Sequence, residues 1–193
     1  MILMIDNYDS FTYNLVDLLR KHDEVVIVYP DDPNVYDYEP SAVVLSPGPG
    51  HPNENDLLRR IIEYYHDCPI LGICLGAQAL YDYYGGVVEV GERIVHGKID
   101  QLKYEAPSIL YNDISEYSDI MRYHSLICQE DTLPDALIVT GRTRDSIQSF
   151  EHRSYPHFGV QYHPESFASP DVAKVVSNFM NRAVQEERKD DVT

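Results

Sequence analysis

Cysteine is scarce in this chain of 193 residues: Cys68, Cys74 and Cys128 are the only three, and no two of them form a Cys-x-x-Cys pair. An odd count without metal-ligand spacing excludes a disulfide scaffold and points to a reducing compartment. Positive charge is also thin. Fifteen Lys and Arg face 32 Asp and Glu, for a net charge of −17. The acidic excess is spread along the whole chain, and such a surface repels phosphate backbones and anionic lipid, which excludes nucleic acid and membrane as expected partners. Long apolar runs are missing. Val25–Val28 and Ala42–Leu45 are strand-sized and far short of a bilayer span. The opening residues reach Asp6 after five apolar positions, with no basic start of the kind a secretory leader has. These absences together predict a cytoplasmic protein.

The length suits one domain with a core large enough to need neither disulfide nor structural metal. We read residues 1–185 as that domain and 186–193 as a polar C-terminal tail. In the first half, strand and helix signals alternate. Ile2–Ile5, Val25–Tyr29, Ala42–Leu45 and Pro69–Ile73 read as short buried strands. Helical spacing appears at Phe11, Leu15, Leu18 and Leu19, with Ser10 as N-cap, then at Leu57, Leu58, Ile61 and Ile62, and again over Gly76–Tyr84. Such alternation predicts an α/β fold: a mostly parallel central sheet with helices on both faces. From Val87 to about Glu151 the runs are β-type and turn-rich, as in Lys98–Tyr104 and Ala136–Thr140. They predict a small antiparallel excursion in the middle third. Phe158–Tyr162 is a further strand. Ser169-Pro170 opens a last helix whose apolar stripe is Val172, Val175, Val176, Phe179, Met180 and Ala183.

The sharpest chemical signal is Gly72-Ile73-Cys74-Leu75-Gly76, at a strand-to-helix junction. From three cysteines and ten glycines, chance supplies roughly 0.008 such motifs. A nucleophile there stands above the C-terminal edge of the sheet, and the helix N-terminus beneath it favours a negatively charged sulfur. Cys68 and Cys128 have no such setting and read as structural. A thiolate needs a proton carrier. His163 follows the strand Phe158–Tyr162, and Pro164 restrains the His163-Pro164-Glu165 segment to extended geometry. Glu165 can fix the tautomer of His163 and stabilise its cation. Pro47-Gly48-Pro49-Gly50, straight after the third strand, combines two prolines that stiffen a turn with two glycines that each offer an N–H. That suits an oxyanion hole. No Gly-Lys-Ser/Thr follows, so a P-loop is excluded.

On these motifs the chain resembles the class I (triad) glutamine amidotransferases, and most of all the glutaminase small subunits of anthranilate synthases. The stretches that carry the resemblance are Asp6–Leu15, Ser46–Gly50, Gly72–Gln78, Met121-Arg122-Tyr123-His124-Ser125-Leu126 and Gly159–Ser166. They span nearly the whole domain. The Cys and His-Pro-Glu motifs belong to the wider superfamily, while the Asp6-Asn7-Tyr8-Asp9-Ser10-Phe11 opening points to synthases that use chorismate. One departure is Ala77, where many relatives have histidine.

The resemblance implies a flavodoxin-like fold and a division of roles. Cys74 would be the nucleophile, His163 the acid and base, and Glu165 its orienting partner. Gly48, Pro49, Gly50 and the N–H of Leu75 would shape the oxyanion site. Gln78, Ser125 and Leu126 would hold the glutamine substrate. The implied partner is a chorismate-binding large subunit that receives ammonia. No cofactor is expected in this chain, since the customary Mg²⁺ would sit in the partner. Three other readings share some of these residues: the same subunit serving 4-amino-4-deoxychorismate synthase, a free-standing γ-glutamyl thiol hydrolase, and a flavodoxin-like scaffold with a tyrosine-rich contact surface.

Overall fold

A computed structural model describes residues 1–10 and 12–183, except for the side chains of 92–96, 182 and 183. Phe11 of the opening motif, Ala183 of the last helix's stripe as a side chain, and the tail at 186–193 therefore lie outside the described residues.

Four strands come first, each of four residues: β1 (Ile2–Ile5), β2 (Val25–Val28), β3 (Ala42–Leu45) and β4 (Ile70–Ile73). In β1, β3 and β4 every residue is buried. An unbroken apolar run is what a strand needs when both sheet faces are covered. The two-residue alternation of a strand then divides these side chains between two cores. Ile2, Met4, Ala42, Val44, Leu71 and Ile73 face α1 (Thr12–Leu19) and α4 (Lys174–Asn178) on one side. Leu3, Ile5, Val43, Leu45 and Ile70 face α2 (Leu57–Tyr64) and α3 (Leu75–Tyr83) on the other.

The second half supplies β5 (Val88–Tyr104), β6 (Tyr117–Cys128), β7 (Leu137–Arg142), β8 (Ile147–His152) and β9 (His157–Val160). All nine strands form one sheet in the order β2-β1-β3-β4-β9-β8-β7-β5-β6. The run from β2 to β9 is parallel, as the crossover pattern predicts, and from β9 to β6 every pairing is antiparallel. The antiparallel excursion thus continues the central sheet instead of standing apart from it.

Two elements differ from expectation. The predicted strand Phe158–Tyr162 stops at Val160, two residues early, although the Gln161 N–H still bonds the Gln148 carbonyl of β8 at 2.8 Å. The last helix opens at Lys174, not after Ser169. The Ser169 hydroxyl accepts the Met121 N–H of β6 at 2.7 Å and so is committed away from a capping role. The stripe is still buried: Val172, Val175, Val176 and Phe179 are fully enclosed.

The register that matters most is β4 against β9, where Gly72 pairs with Gly159 and Ile73 with Val160. Both strands run out at the same edge, and the Cys74 N–H extends the ladder by one bond to the Val160 carbonyl at 2.8 Å.

Candidate active site

Cys74 sits between β4 and α3 with φ 52° and ψ −105°, a left-handed backbone seldom adopted outside glycine. The reversal is sharp enough to demand glycine on both sides. A Cβ on Gly72 would lie 2.4 Å from the Gly76 carbonyl oxygen, and one on Gly76 would lie 2.3 Å from that of Leu45. The sequence motif is therefore a packing requirement: strand, turn and helix fold back on one another with no room for a side chain. Leu75 opens α3, whose first-turn N–H groups have no acceptor within the helix.

His163 arrives from β9 and is anchored to β6, since its N–H donates to the Met121 carbonyl at 3.2 Å. Its Nδ1 meets the Glu165 carboxylate at 2.6 Å, with both side chains buried. The other ring nitrogen, Nε2, is buried without an aligned hydrogen bond, which leaves it as the nitrogen available to Cys74. Burial opposes charge on this ring. Hydrogen bonding and charge from Cys74 and Glu165 outweigh it, and the His163 pKa is raised to about 10. The ring thus carries a proton at neutral pH. Tyr123 stands edge-on to it, with centroids 5.6 Å apart and planes at 89°.

These groups open into a cavity of about 200 Å³, lined by Asp9, Asn14, Pro47, Gly48, Tyr123, Ser166 and Phe167 together with Cys74, His163 and Glu165. That is below the ~300–1,000 Å³ of clefts for drug-sized ligands and suits a small substrate. Of the Pro-Gly-Pro-Gly turn, Pro47 and Gly48 form the wall, while Pro49 and Gly50 continue into an exposed bend. Gln78 is almost fully buried. Its amide nitrogen donates to the Leu126 carbonyl at 3.2 Å and to Gln161 Oε1 at 3.0 Å, so it reaches the site through other residues. Ser125 and Leu126 are half-buried on β6, beside that amide.

Sequence reasoning passed over Gln161, Tyr123, Ser166 and Phe167 as individual site residues. Gln161 and Ser166 flank the His-Pro-Glu motif, so proximity was the one signal available for them. Tyr123 and Phe167 carry no chemical signature. Among the described residues, no group of three or more His, Cys, Asp or Glu is arranged to hold a metal ion, and no helix is long and apolar enough to cross a membrane.

A thiol, an imidazole and a carboxylate gathered at the C-terminal edge of the parallel half of a mixed α/β sheet make an arrangement suited to thiol chemistry. The comparisons narrow this. Residues 3–183 match the family model described as glutamine amidotransferase class-I, and the chain belongs to that family. It is 38% identical over 194 residues to an anthranilate synthase component 2 of Methanothermobacter thermautotrophicus, covering 93% of this chain and 98% of the relative. It is 39% identical over 186 residues to a multifunctional tryptophan biosynthesis protein of Phycomyces blakesleeanus, of which it spans 24%. A crystal structure of a GMP synthase subunit from Thermoplasma acidophilum superposes over all of this chain with a TM-score of 0.89 at 23% identity, a likeness of fold.

Proposed function

We propose that this glutamine amidotransferase is the glutaminase subunit of an anthranilate synthase, releasing ammonia from glutamine for a chorismate-binding large subunit. The observation that carries the reading is the meeting of Cys74 with a Glu165-oriented, proton-bearing His163 at the mouth of a small cavity.

The Cys74 sulfur, as thiolate, attacks the carbon of the glutamine side-chain amide, and the oxygen takes the negative charge. N–H groups at Gly48 and at the start of α3 are the candidate donors to that oxygen, where one well-aimed donor is worth about 3–4 kcal/mol. Nitrogen is a poor leaving group until protonated. The His163 proton is in hand for it, and the C–N bond breaks to release ammonia. A γ-glutamyl thioester remains on Cys74. His163, now neutral, takes a proton from water as the water attacks the thioester carbonyl, the C–S bond breaks, and glutamate leaves. No step draws on a metal in this chain; Mg²⁺ belongs to the proposed partner.

The choice of chorismate pathway rests on the resemblance of the Asp6–Ser10 opening and on the names of the relatives. Ammonia released into bulk water would be protonated and lost as a nucleophile, which favours delivery within a heteromeric complex. The test is Cys74→Ala in the complex with its large subunit. Glutamine-dependent synthesis should vanish while synthesis from added ammonia survives. Identifying the large subunit in the native complex decides between anthranilate and 4-amino-4-deoxychorismate as product.

A further inference from the structure

The nucleophile has a second polar neighbour besides His163. Gln161 Nε2 lies 3.6 Å from Cys74 Sγ, and the Gln161 side chain is almost fully buried. A glutamine amide can face either way, so the identity of the end turned to sulfur has to be argued from its other partners. Those partners leave no freedom. Arg122 has only donors, and its Nε–H points at His124 Nε2 at 3.1 Å. His124 must then be neutral with its proton on Nδ1, which donates to the Leu126 carbonyl at 2.9 Å. That carbonyl only accepts, so the end of Gln78 that meets it at 3.2 Å is the amide nitrogen. The same nitrogen's second hydrogen goes to Gln161 at 3.0 Å, which makes that atom Oε1. What remains for the sulfur is the Gln161 NH₂.

The far end of this chain is firmly held. Arg122 is buried, and it is ion-paired to Asp100 on β5 at 2.5 Å and to Asp145 in the β7–β8 turn at 2.9 Å, with Ser146 as a further acceptor at 3.1 Å. Burying a guanidinium needs such compensation.

We propose that Gln161 is a further catalytic residue, a donor that stabilises and aims the Cys74 thiolate, and that Gln78, oriented by the Leu126 carbonyl, is the positioning residue fixing the direction of its amide, with Arg122 and His124 bracing that carbonyl. A thiol is a weak acceptor and a thiolate a strong one, so the bond strengthens as the sulfur gains charge. It weakens once the thioester forms and strengthens again as the C–S bond breaks, so it raises the thiolate population and assists release of the acyl group, not substrate binding. The proposal rests on Cys74 being the nucleophile.

The test follows alkylation of the Cys74-containing peptide by iodoacetamide against pH, read by mass spectrometry, in the full chain and in complex with its large subunit. Gln161→Leu should move the midpoint up by about one pH unit and lower kcat for glutamine about tenfold while KM stays within about twofold. Gln161→Glu should move it further, and Gln78→Leu and Arg122→Met less, in the same direction. An unchanged midpoint in folded Gln161→Leu overturns the proposal. If that variant does not fold, ¹⁵N-glutamine-labelled wild type serves: the Gln161 side-chain amide resonances should shift with pH and lose that dependence in Cys74→Ala. Resonances that do not respond to Cys74 overturn the proposal equally. Glutamine-dependent synthesis persisting in Cys74→Ala would instead overturn the nucleophile assignment itself.

Discussion

Asn7 grips Ser46 at two points. Its N–H donates to the Ser46 hydroxyl at 2.8 Å, and its side-chain amide donates to the Ser46 carbonyl at 2.7 Å. Gly48 follows so closely that a Cβ there would lie 2.4 Å from the Asn7 carbonyl oxygen. The loop after β1 therefore sets the height of the turn after β3, and with it the Gly48 wall of the cavity.

Asn7→Leu should loosen the coupling of the two loops. We expect a stability loss of about 1–3 kcal/mol from the buried Ser46 carbonyl left without its side-chain donor, while the residue-7 N–H keeps its bond to the Ser46 hydroxyl. A larger fractional loss in glutamine kcat than in ammonia-dependent synthesis should accompany it, because the Gly48 wall, the proposed oxyanion donor, loses a support from Asn7. Urea denaturation and paired assays of the complex measure both.

Gly76→Ala places a methyl against the Leu45 backbone, which cannot rotate away. Overpacking of this kind costs about 1–3 kcal/mol, and more where the contact is backbone. Gly85→Ala meets no atom within 4 Å, though its φ of +100° strains any side chain. Both should lower the urea midpoint, but only Gly76→Ala should also distort Cys74. The expected result is loss of iodoacetamide reactivity at Cys74 in Gly76→Ala alone.

His163 links pH to stability. Its folded pKa of about 10 lies above the ordinary 6.5. The native state therefore holds a proton that the unfolded chain has released, and the stabilisation is complete below about pH 6.5 and lost as pH rises through about 10. Glu165→Gln removes one source of the rise, so the His163 proton should leave at lower pH. Imidazole ¹H–¹³C NMR of the ring measures that shift, and the alkaline fall in urea midpoint should start earlier in the variant.

Two buried histidines act in the opposite direction. Burial first, then the neighbouring Arg122, lowers His124 to about 4. Burial first, then the neighbouring His66, lowers His157 to about 4. Below pH 6.5 the unfolded chain takes up protons that these native rings refuse, so stability falls as pH drops from 6.5 towards 4, by about 1.4 kcal/mol per pH unit for each ring. His157→Gln keeps a hydrogen-bonding side chain without the titration. Its urea midpoint should change less between pH 6.5 and 4.5 than that of wild type.

Much of this molecule is written in short-range patterns. The four-residue apolar runs of β1, β3 and β4 could be buried only as central strands, and Gly-x-Cys-x-Gly is legible because sterics at the elbow admit no other residue. His163 and Glu165 stand two residues apart, so a proline between them suffices to predict their contact. The middle third was harder. β6 carries the Met121–Leu126 motif, yet its partner β5 slips register between Val90 and Val95 and again between His96 and Lys98. Such bulges break the two-residue alternation on which strand reading depends. Ser169 misled for another reason: a serine before a proline has the form of a helix cap, but the Met121 N–H reached it first.

The chain's own residues determined the alternation of strands and helices, the strained cysteine and the histidine with its carboxylate, because each follows from neighbours within a few positions. Only the tertiary structure decided that Gln161 faces the sulfur and that Gln78 reaches the site through other residues. It also decided that Asp100 and Asp145, from separate strands and turns, enclose Arg122. Those arrangements depend on which hydrogen-bond donors run out of acceptors once the sheet has closed over them, and sequence order carries no record of that competition.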